Sequence, residues 1–416
     1  MKHEVEIFDI SYEGAGVGKL DGKVVFVPKC LKSEKVEIEI VKENSKFIQG
    51  RLSRVVLPSE KRVEPFCPYF SVCGGCDFQH CDYETEKEIK LEILKEELKK
   101  VDFCGDITFE ESKDRFFYRN KIKFEVKENS LGFFKPKSHE FFAVKKCPIA
   151  SQKINQTIPL IEEFLKANDF KFLKNLYIKQ FGETVGICFL FEKSVKNVKK
   201  IEIFDNFLVF FAFGEILESN STKIVKVFGN KNFSKNVLNL KVESDISAFN
   251  QVNDDVAEKL YDYILKNTAD KRVVNAYSGQ GLLTALIAKK AKFVYGIEFQ
   301  KSAHDAAEKL CNQFSEHKIE NICGKVEDVL PQILLRDYID LIVIDPAREG
   351  CDEKVLNAIS SSKIESAIYV SCNFSTLVRD LKKLSKNYAI ESVKIFDMFP
   401  CTANMETVVI LKLLAL

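Results

Sequence analysis

Apolar and polar side chains alternate in short runs from residue 4 to residue 57, as in Val24-Val25-Phe26-Val27 and Val36-Glu37-Ile38-Glu39-Ile40 and again over 47–56. Turn signals at Glu13-Gly14-Ala15-Gly16 and Asp21-Gly22 break these runs. A period of two interrupted by Gly and Asp predicts short antiparallel strands, and this many in so short a stretch predict a small barrel. Ile89, Leu91, Ile93, Leu94 and Leu98 then suit an amphipathic helix over 84–100. Strand-like alternation rich in Phe, Lys and Asn returns over 103–242.

From about Ser244 helical periods alternate with short apolar runs. Helices are predicted over 256–267, 282–290 and 376–385, and strands over 272–276, 293–297, 341–344, 367–370 and 408–413. That grammar predicts a doubly wound α/β sheet.

At 416 residues, 46% hydrophobic, the chain can support two or three cores. Lys and Arg total 62 against 61 Asp and Glu, so net charge points to neither nucleic acid nor membrane, and any RNA contact needs local patches. Two patches qualify. Lys29, Lys32, Lys35, Lys42, Lys46, Arg51 and Arg54 stud the barrel, as a phosphate-tracking surface or as an ordinary solvated face. Arg115-Phe116-Phe117-Tyr118-Arg119-Asn120-Lys121 interleaves cations and aromatics, fit either to stack bases or to form a buried Phe stripe. Residues 1–10 lack the apolar core of a signal peptide, and no run is long enough to span a bilayer; a soluble cytoplasmic protein is expected. Thirteen cysteines in such a chain point to metal, catalytic or free thiols rather than disulfides.

Three places carry chemistry. Tyr277-Ser278-Gly279-Gln280-Gly281 lies between a predicted strand and helix, where glycines let backbone approach a ligand. Glu298, 19 residues after Gly279, ends the next predicted strand and can accept ribose hydroxyls. The third glycine of a dinucleotide turn would fall at Thr284, so S-adenosylmethionine, which has no pyrophosphate, is favoured over NAD. Asp345 and Cys372 each follow a predicted strand at the ligand-binding end of the sheet. A helix starting after Cys372 is expected to lower its thiol pKa; the alternative is an inert buried thiol. Finally, Cys67, Cys73 and Cys76 have the spacing C-x5-C-x2-C around Gly74-Gly75. They require a fourth ligand, and by spacing alone tetrahedral zinc fits nearly as well as an iron-sulfur cluster.

The chain resembles the RNA uracil-C5 methyltransferase family, and especially its iron-sulfur-containing branch that modifies 23S ribosomal RNA. Three stretches carry the likeness: 345–352 from Asp345-Pro346-Ala347-Arg348, 369–381 around Ser371-Cys372-Asn373, and 397–406 ending in Met405-Glu406. Phe249-Asn250-Gln251-Val252-Asn253 and the TRAM-like start at Glu13-Gly14-Ala15-Gly16-Val17 extend it.

The resemblance implies a TRAM (OB-like) barrel over 1–58, a central α+β domain with a [4Fe-4S] cluster over 59–243 and a Rossmann-like class I methyltransferase domain over 244–416. It implies Cys372 as nucleophile, Glu406 as general base, Asp345 at the uracil, and Gln251, Tyr277, Gly279, Glu298 and Asp345 at the S-adenosylmethionine. The cluster ligands would be Cys67, Cys73, Cys76 and Cys147, with Cys81 competing for the fourth place. The expected partner is RNA, above all 23S rRNA, bound by a monomer. A tRNA uracil-C5 methyltransferase and a non-catalytic RNA-binding protein are the alternatives. This chain departs from the family pattern at Asn275, Ala347, Phe374, Cys401 and Asn404.

Overall fold

The N-terminal alternation closes on itself. Strands β1 (Lys2–Ile10), β2 (Ala15–Leu20), β3 (Lys23–Pro28), β4 (Lys35–Glu43) and β5 (Phe47–Leu57) form a closed barrel in the order β1-β2-β3-β5-β4. The period of two turns Val5, Ile7, Val25, Val27, Val36, Ile38 and Ile48 inward. At Gly18 a Cβ would lie 2.3 Å from Val5 Cγ1, so the close approach of β1 and β2 there needs glycine. This computed structural model describes residues 2–168, 170–193, 207–214, 223–228, 233–313 and 318–414.

Helix α1 (Tyr83–Leu98) and strand β6 (Ile107–Glu110) lead into a seven-stranded sheet. It comprises β7 (Lys121–Lys127), β8 (Ser130–Phe134), β9 (Phe141–Ala143), β10 (Leu173–Phe181), β11 (Thr184–Phe191), β12 (Leu208–Phe213) and β13 (Lys223–Phe228), in the order β13-β12-β11-β10-β7-β8-β9. Helix α2 (Gln152–Ala167) covers it with Ile154, Ile158, Ile161, Phe164 and Leu165, meeting Phe189 and Phe211 in one core. A hairpin, β14 (Phe233–Val237) and β15 (Leu240–Ser244), follows. Parts of the predicted alternation, 194–206, 215–222 and 229–232, lie outside the described residues.

The C-terminal part runs α3 (Asp254–Leu265), β16 (Arg272–Ala276), α4 (Leu282–Ala288), β17 (Phe293–Glu298), α5 (Lys301–Cys311), β18 (Ile319–Cys323), α6 (Val326–Arg336) and β19 (Leu341–Ile344). It continues with α7 (Glu353–Ser361), β20 (Ser366–Ser371), α8 (Phe374–Leu384), β21 (Tyr388–Phe396) and β22 (Glu406–Leu413). The eight-stranded sheet has the order β18-β17-β16-β19-β20-β22-β21-β6. Strands β16 to β20 pair in parallel, and β22 is antiparallel to both neighbours.

The stretch 59–243 is therefore not one packing unit. Strand β6 extends the C-terminal sheet, parallel to β21. Ile89, Ile93, Leu94 and Leu98 of α1 share a core with Leu377, Leu381 and Leu384 of α8. The apolar face read in α1 belongs to the C-terminal sheet because α8 offers it a matching stripe. No helix among the described residues is long and apolar enough to cross a membrane.

Candidate active site

Strand order reverses beside β16, whose chain continues to β17 on one side while β19 pairs on the other. Ligands of such sheets sit at this switch, beyond the carboxyl ends of the strands. Tyr277 follows β16, Glu298 ends β17, Asp345 follows β19 and Cys372 follows β20. Glu406 reaches the same end by another route. It opens β22, which runs against β20 with Ser371 opposite Thr407, so the start of one strand lies beside the end of the other.

A cavity of ≈ 840 Å3 occupies the switch, lined by Gln251, Tyr277, Gly279, Glu298, Phe299 and Asp345 among others. That volume lies inside the roughly 300–1,000 Å3 of small-molecule sites. The Glu298 carboxylate accepts the Gly279 N–H at 2.9 Å and the Gln300 N–H at 2.7 Å, which fixes the glycine turn to β17 and leaves further lone pairs towards the cavity. Gly279 has φ +54° and open space where a Cβ would stand, a recess fit for a ligand. Gly281, at φ +79°, would bring a Cβ to 2.6 Å from Ala307, so α4 and α5 meet only over glycine. Asn275 donates to the Thr284 hydroxyl at 2.8 Å; the two departures from the expected turn satisfy each other inside the protein. Asp245, Glu298, Glu327 and Asp345 line the cavity against one basic side chain, Lys325, among the described residues. Such a lining suits a sulfonium and an ammonium and would repel a pyrophosphate.

At the reactive end, burial pushes Asp345 up to about 7. Burial, and then the charge of Asp345, lift Glu406 well above the carboxylate range, with Arg348 opposing. Glu406 is 3% exposed. Tyr261 on α3 is raised by burial and feels both carboxylates. The expected lowering of the Cys372 pKa is not what the structure gives. Burial and the Glu406 carboxylate raise the thiol, Arg348 lowers it, and Asp345 raises it further. Burial is the largest cause and the two carboxylates add to it. Asn373 caps α8, its side chain accepting the Ser375 N–H at 3.1 Å. Phe374, a departure from the family pattern, packs edge-on against Tyr12 of the barrel at 5.9 Å.

The cysteine segment gathers against the 397–405 loop. Cys76 and Cys401 are buried together with Phe70 and Ile149, and Cys67 and Cys147 pack against them. Cys73 lies in charge range of Cys67 and Cys147. Asn155 on α2 holds Cys147, accepting its N–H at 2.8 Å and donating to its carbonyl at 2.9 Å. Cys81 is turned away into the α1 core, its thiol on the Phe78 carbonyl at 3.2 Å. Among the described residues no three His, Cys, Asp or Glu side chains close on a point as one bound ion requires. The loop itself is pinned from below: Lys90, fully buried, bonds Asp397 at 2.6 Å and Glu86 at 2.8 Å, and Glu86 takes the Cys401 N–H at 2.7 Å.

Both suspected RNA patches change. Lys29 points inward to the Phe70 and Cys73 carbonyls and over the Phe70 ring. Lys35, Arg51 and Arg54 pair with Glu4, Glu39 and Glu37. Arg115 is consumed by Glu86 and the Phe78 and Cys81 carbonyls, and Tyr118 bonds the Pro400 carbonyl at 3.0 Å. Phe116 stays 43% exposed, packed on Phe66. Sequence reading missed roles for Arg348 and Phe299, although each stands within or beside a quoted stretch, and for Tyr261, whose helical position reads as core.

Comparison with known proteins agrees with this geometry. The family described as tRNA (Uracil-5-)-methyltransferase matches residues 82–413, and the TRAM domain matches residues 2–53. An uncharacterized RNA methyltransferase of Clostridium acetobutylicum is 30% identical over 444 residues, covering 99% of this chain and 96% of that one. One from Fusobacterium nucleatum is 31% identical, covering 97% and 94%. The crystal structure of Pyrococcus abyssi tRNA (uracil-54, C5)-methyltransferase with S-adenosyl-L-homocysteine superposes with a TM-score of 0.81 at 22% identity, covering 99% of this chain and 100% of that one. The chain thus belongs to the tRNA (uracil-5-)-methyltransferase family and is an S-adenosylmethionine-dependent RNA uracil-C5 methyltransferase.

Proposed function

We propose that this enzyme methylates C5 of a uridine in 23S rRNA through a covalent bond between Cys372 and uracil C6. The observation that carries the mechanism is the meeting of Cys372, Asp345 and Glu406 at one end of the sheet beside the acid-lined cavity. Uracil C5 is too weak a nucleophile to take a sulfonium methyl unaided. Addition of the Cys372 thiolate to C6 moves the C5–C6 π electrons into an enolate and makes C5 nucleophilic. Asp345 orients the ring on its N3 and O4 side. After C5 has taken the methyl, Glu406 removes the C5 proton, and the pair left behind expels the thiolate. A base with a pKa raised towards neutrality suits that proton, and burial supplies the rise. Gln251, Tyr277, Gly279, Glu298 and Asp345 hold the donor.

Cys67, Cys73, Cys76 and Cys147 are proposed to hold a [4Fe-4S] cluster. The family likeness favours a cubane, which takes one thiolate per iron, over the tetrahedral zinc that the C-x5-C-x2-C spacing alone fits nearly as well. The cluster braces the segment; methyl transfer consumes no electron. The barrel and the exposed Phe116 are proposed RNA contacts, in a cytoplasmic monomer divided functionally at 1–58, 59–243 and 244–416.

A second reading, a tRNA target, is favoured by the full-length likeness to the Pyrococcus abyssi enzyme. Mapping 5-methyluridine in rRNA and tRNA of a deletion strain decides between them. A uridine losing its methyl in 23S rRNA supports the first; loss confined to tRNA overturns it.

A further inference from the structure

We propose that Lys179 and Asn120 are positioning residues of the methyl-donor pocket, two side chains of the central sheet that hold one wall of the cavity by its carbonyls. The inference rests on the cavity at the switch of the C-terminal sheet being the donor site. Its 245–251 wall, which includes Asp245, Ala248, Phe249 and Gln251, lies between β15 and α3 in no helix or strand, so no ladder occupies its carbonyls. Inside the loop the Asp245 carboxylate takes the Ser247 N–H at 2.7 Å and the Ala248 N–H at 3.0 Å. The carbonyls are taken from outside. The Lys179 ammonium donates to those of Asp245 at 2.8 Å and Ala248 at 3.0 Å. Asn120 donates its side-chain amide to the Gln251 carbonyl at 2.9 Å and its backbone N–H to the Val252 carbonyl at 2.9 Å.

The two residues act as a pair because the ladder puts them side by side. Lys179 stands opposite Lys121 where β10 runs against β7, and the Asn120 carbonyl accepts the Gln180 N–H at 2.8 Å. Lys179 is 2% exposed, its ammonium near the Phe181 and Phe233 rings. Burying an ammonium costs far more than burying a methyl group, so a lysine is a poor choice for filling space. What it supplies that an apolar side chain cannot is several donors on one rotating head, which here reach two carbonyls three residues apart. A further contact is the Ser244 hydroxyl at 3.4 Å, which stands 3.1 Å from Asn250 Oδ1 and 3.4 Å from Gln280 Oε1. Gln280 belongs to the glycine turn and lines the same cavity, so the Lys179 head is linked to two of its walls. Neither Lys179 nor Asn120 lines the cavity itself; each acts on the donor through the wall it holds. A wall already in place spares the ligand the cost of ordering it.

The test titrates the full-length protein with S-adenosylmethionine by calorimetry, beside steady-state kinetics with total RNA from a deletion strain as methyl acceptor. Lys179→Met keeps the bulk and removes the donors. Its Kd and KM for S-adenosylmethionine are expected to rise about tenfold, the equivalent of one lost hydrogen bond of a charged group. Its kcat at saturating donor and its KM for RNA should stay near wild type. Asn120→Ala leaves the ammonium in place and should move the same constants the same way; it decides the matter if Lys179→Met does not fold. In both variants amide exchange over 245–252 should be faster without donor and return to the wild-type rate with saturating donor. Wild-type donor affinity in the folded variants, or a fall in kcat with KM unchanged, overturns the inference. Glu298→Ala tests the underlying reading separately. If it too binds S-adenosylmethionine with wild-type affinity, the cavity is not the donor site; if it alone loses affinity, the cavity reading stands and the roles given to Lys179 and Asn120 fall.

Discussion

The carbonyl of Cys401 accepts the N–H of Asp77 at 2.8 Å, which hangs the cysteine turn on the loop that ends at Glu406. The Asp77 carboxylate returns to the Ala403 N–H at 2.9 Å, and the Cys401 carbonyl also takes the Phe78 N–H at 3.0 Å. Whatever orders residues 73–78 therefore orders the approach to the proposed base.

Anaerobically purified protein is accordingly expected to carry about four iron and four sulfide per chain. Cys147→Ser should release them, while Cys81→Ser should not, because Cys81 faces the α1 core. Cluster loss should also speed amide hydrogen exchange over 397–405. Stoichiometric zinc without iron would overturn the assignment, and release by Cys81→Ser alone would move the fourth ligand.

The donor site gives a sharper number. Glu298 ties Gly279 to Gln300 and offers its remaining lone pairs to the cavity, so Glu298→Ala is expected to weaken S-adenosylmethionine binding by roughly 1–3 kcal/mol, the range for charge-assisted hydrogen bonds. Titration calorimetry measures it. NAD should give no heat, since its pyrophosphate would meet Asp245, Glu327 and Asp345; binding of NAD as tight as that of the methyl donor would refute the reading of the lining.

Burial of Asp345 has a consequence for stability. Its folded pKa, about 7, lies above the unfolded carboxylate value of about 3.9, so the folded state holds the proton more tightly. Stability from this group is complete below the unfolded value and is lost as pH rises through about 7. Glu406 is displaced the same way and adds to the slope. Asp345→Asn, which mimics the protonated form, should match the wild-type melting temperature at about pH 4, exceed it increasingly up to about pH 7, and keep a constant lead above that. Parallel melting curves across that range would show that the carboxylate is not desolvated.

Local signals were readable and distant pairings were not. The strands 272–276 and 341–344 emerge at the expected residues because a short apolar run between turn signals is a local property. The barrel follows from period-two alternation for the same reason. Nothing local announces that Ile107–Glu110 crosses to pair with β21, or that α1 packs on α8. The family likeness implied roles for Glu406 and Cys372, but their meeting depends on β22 running antiparallel to β20, which no local period displays. Charges misled most: Lys29 and Arg115 look like phosphate contacts, yet each serves inward carbonyls, because long side chains follow unpaired backbone groups that sequence does not display.

Cys372 and Glu406 stand at the end of β20 and the start of β22, and their proposed tasks open and close one covalent cycle. Replacing each should therefore fail differently. Cys372→Ala forms no adduct with substrate RNA, because C5 is never activated without a sulfur on C6. Glu406→Gln still adds and accepts the methyl, then stalls with RNA attached, because no base takes the C5 proton. Denaturing gels with labelled RNA separate the two outcomes by a retarded protein–RNA band, present in the second variant and absent in the first. RNA with 5-fluorouridine at the target should trap wild-type enzyme in the same band, since fluorine cannot leave as a cation. Turnover at the wild-type rate in Cys372→Ala, or an adduct mapped by peptide mass to another of the thirteen cysteines, would remove Cys372 from the mechanism.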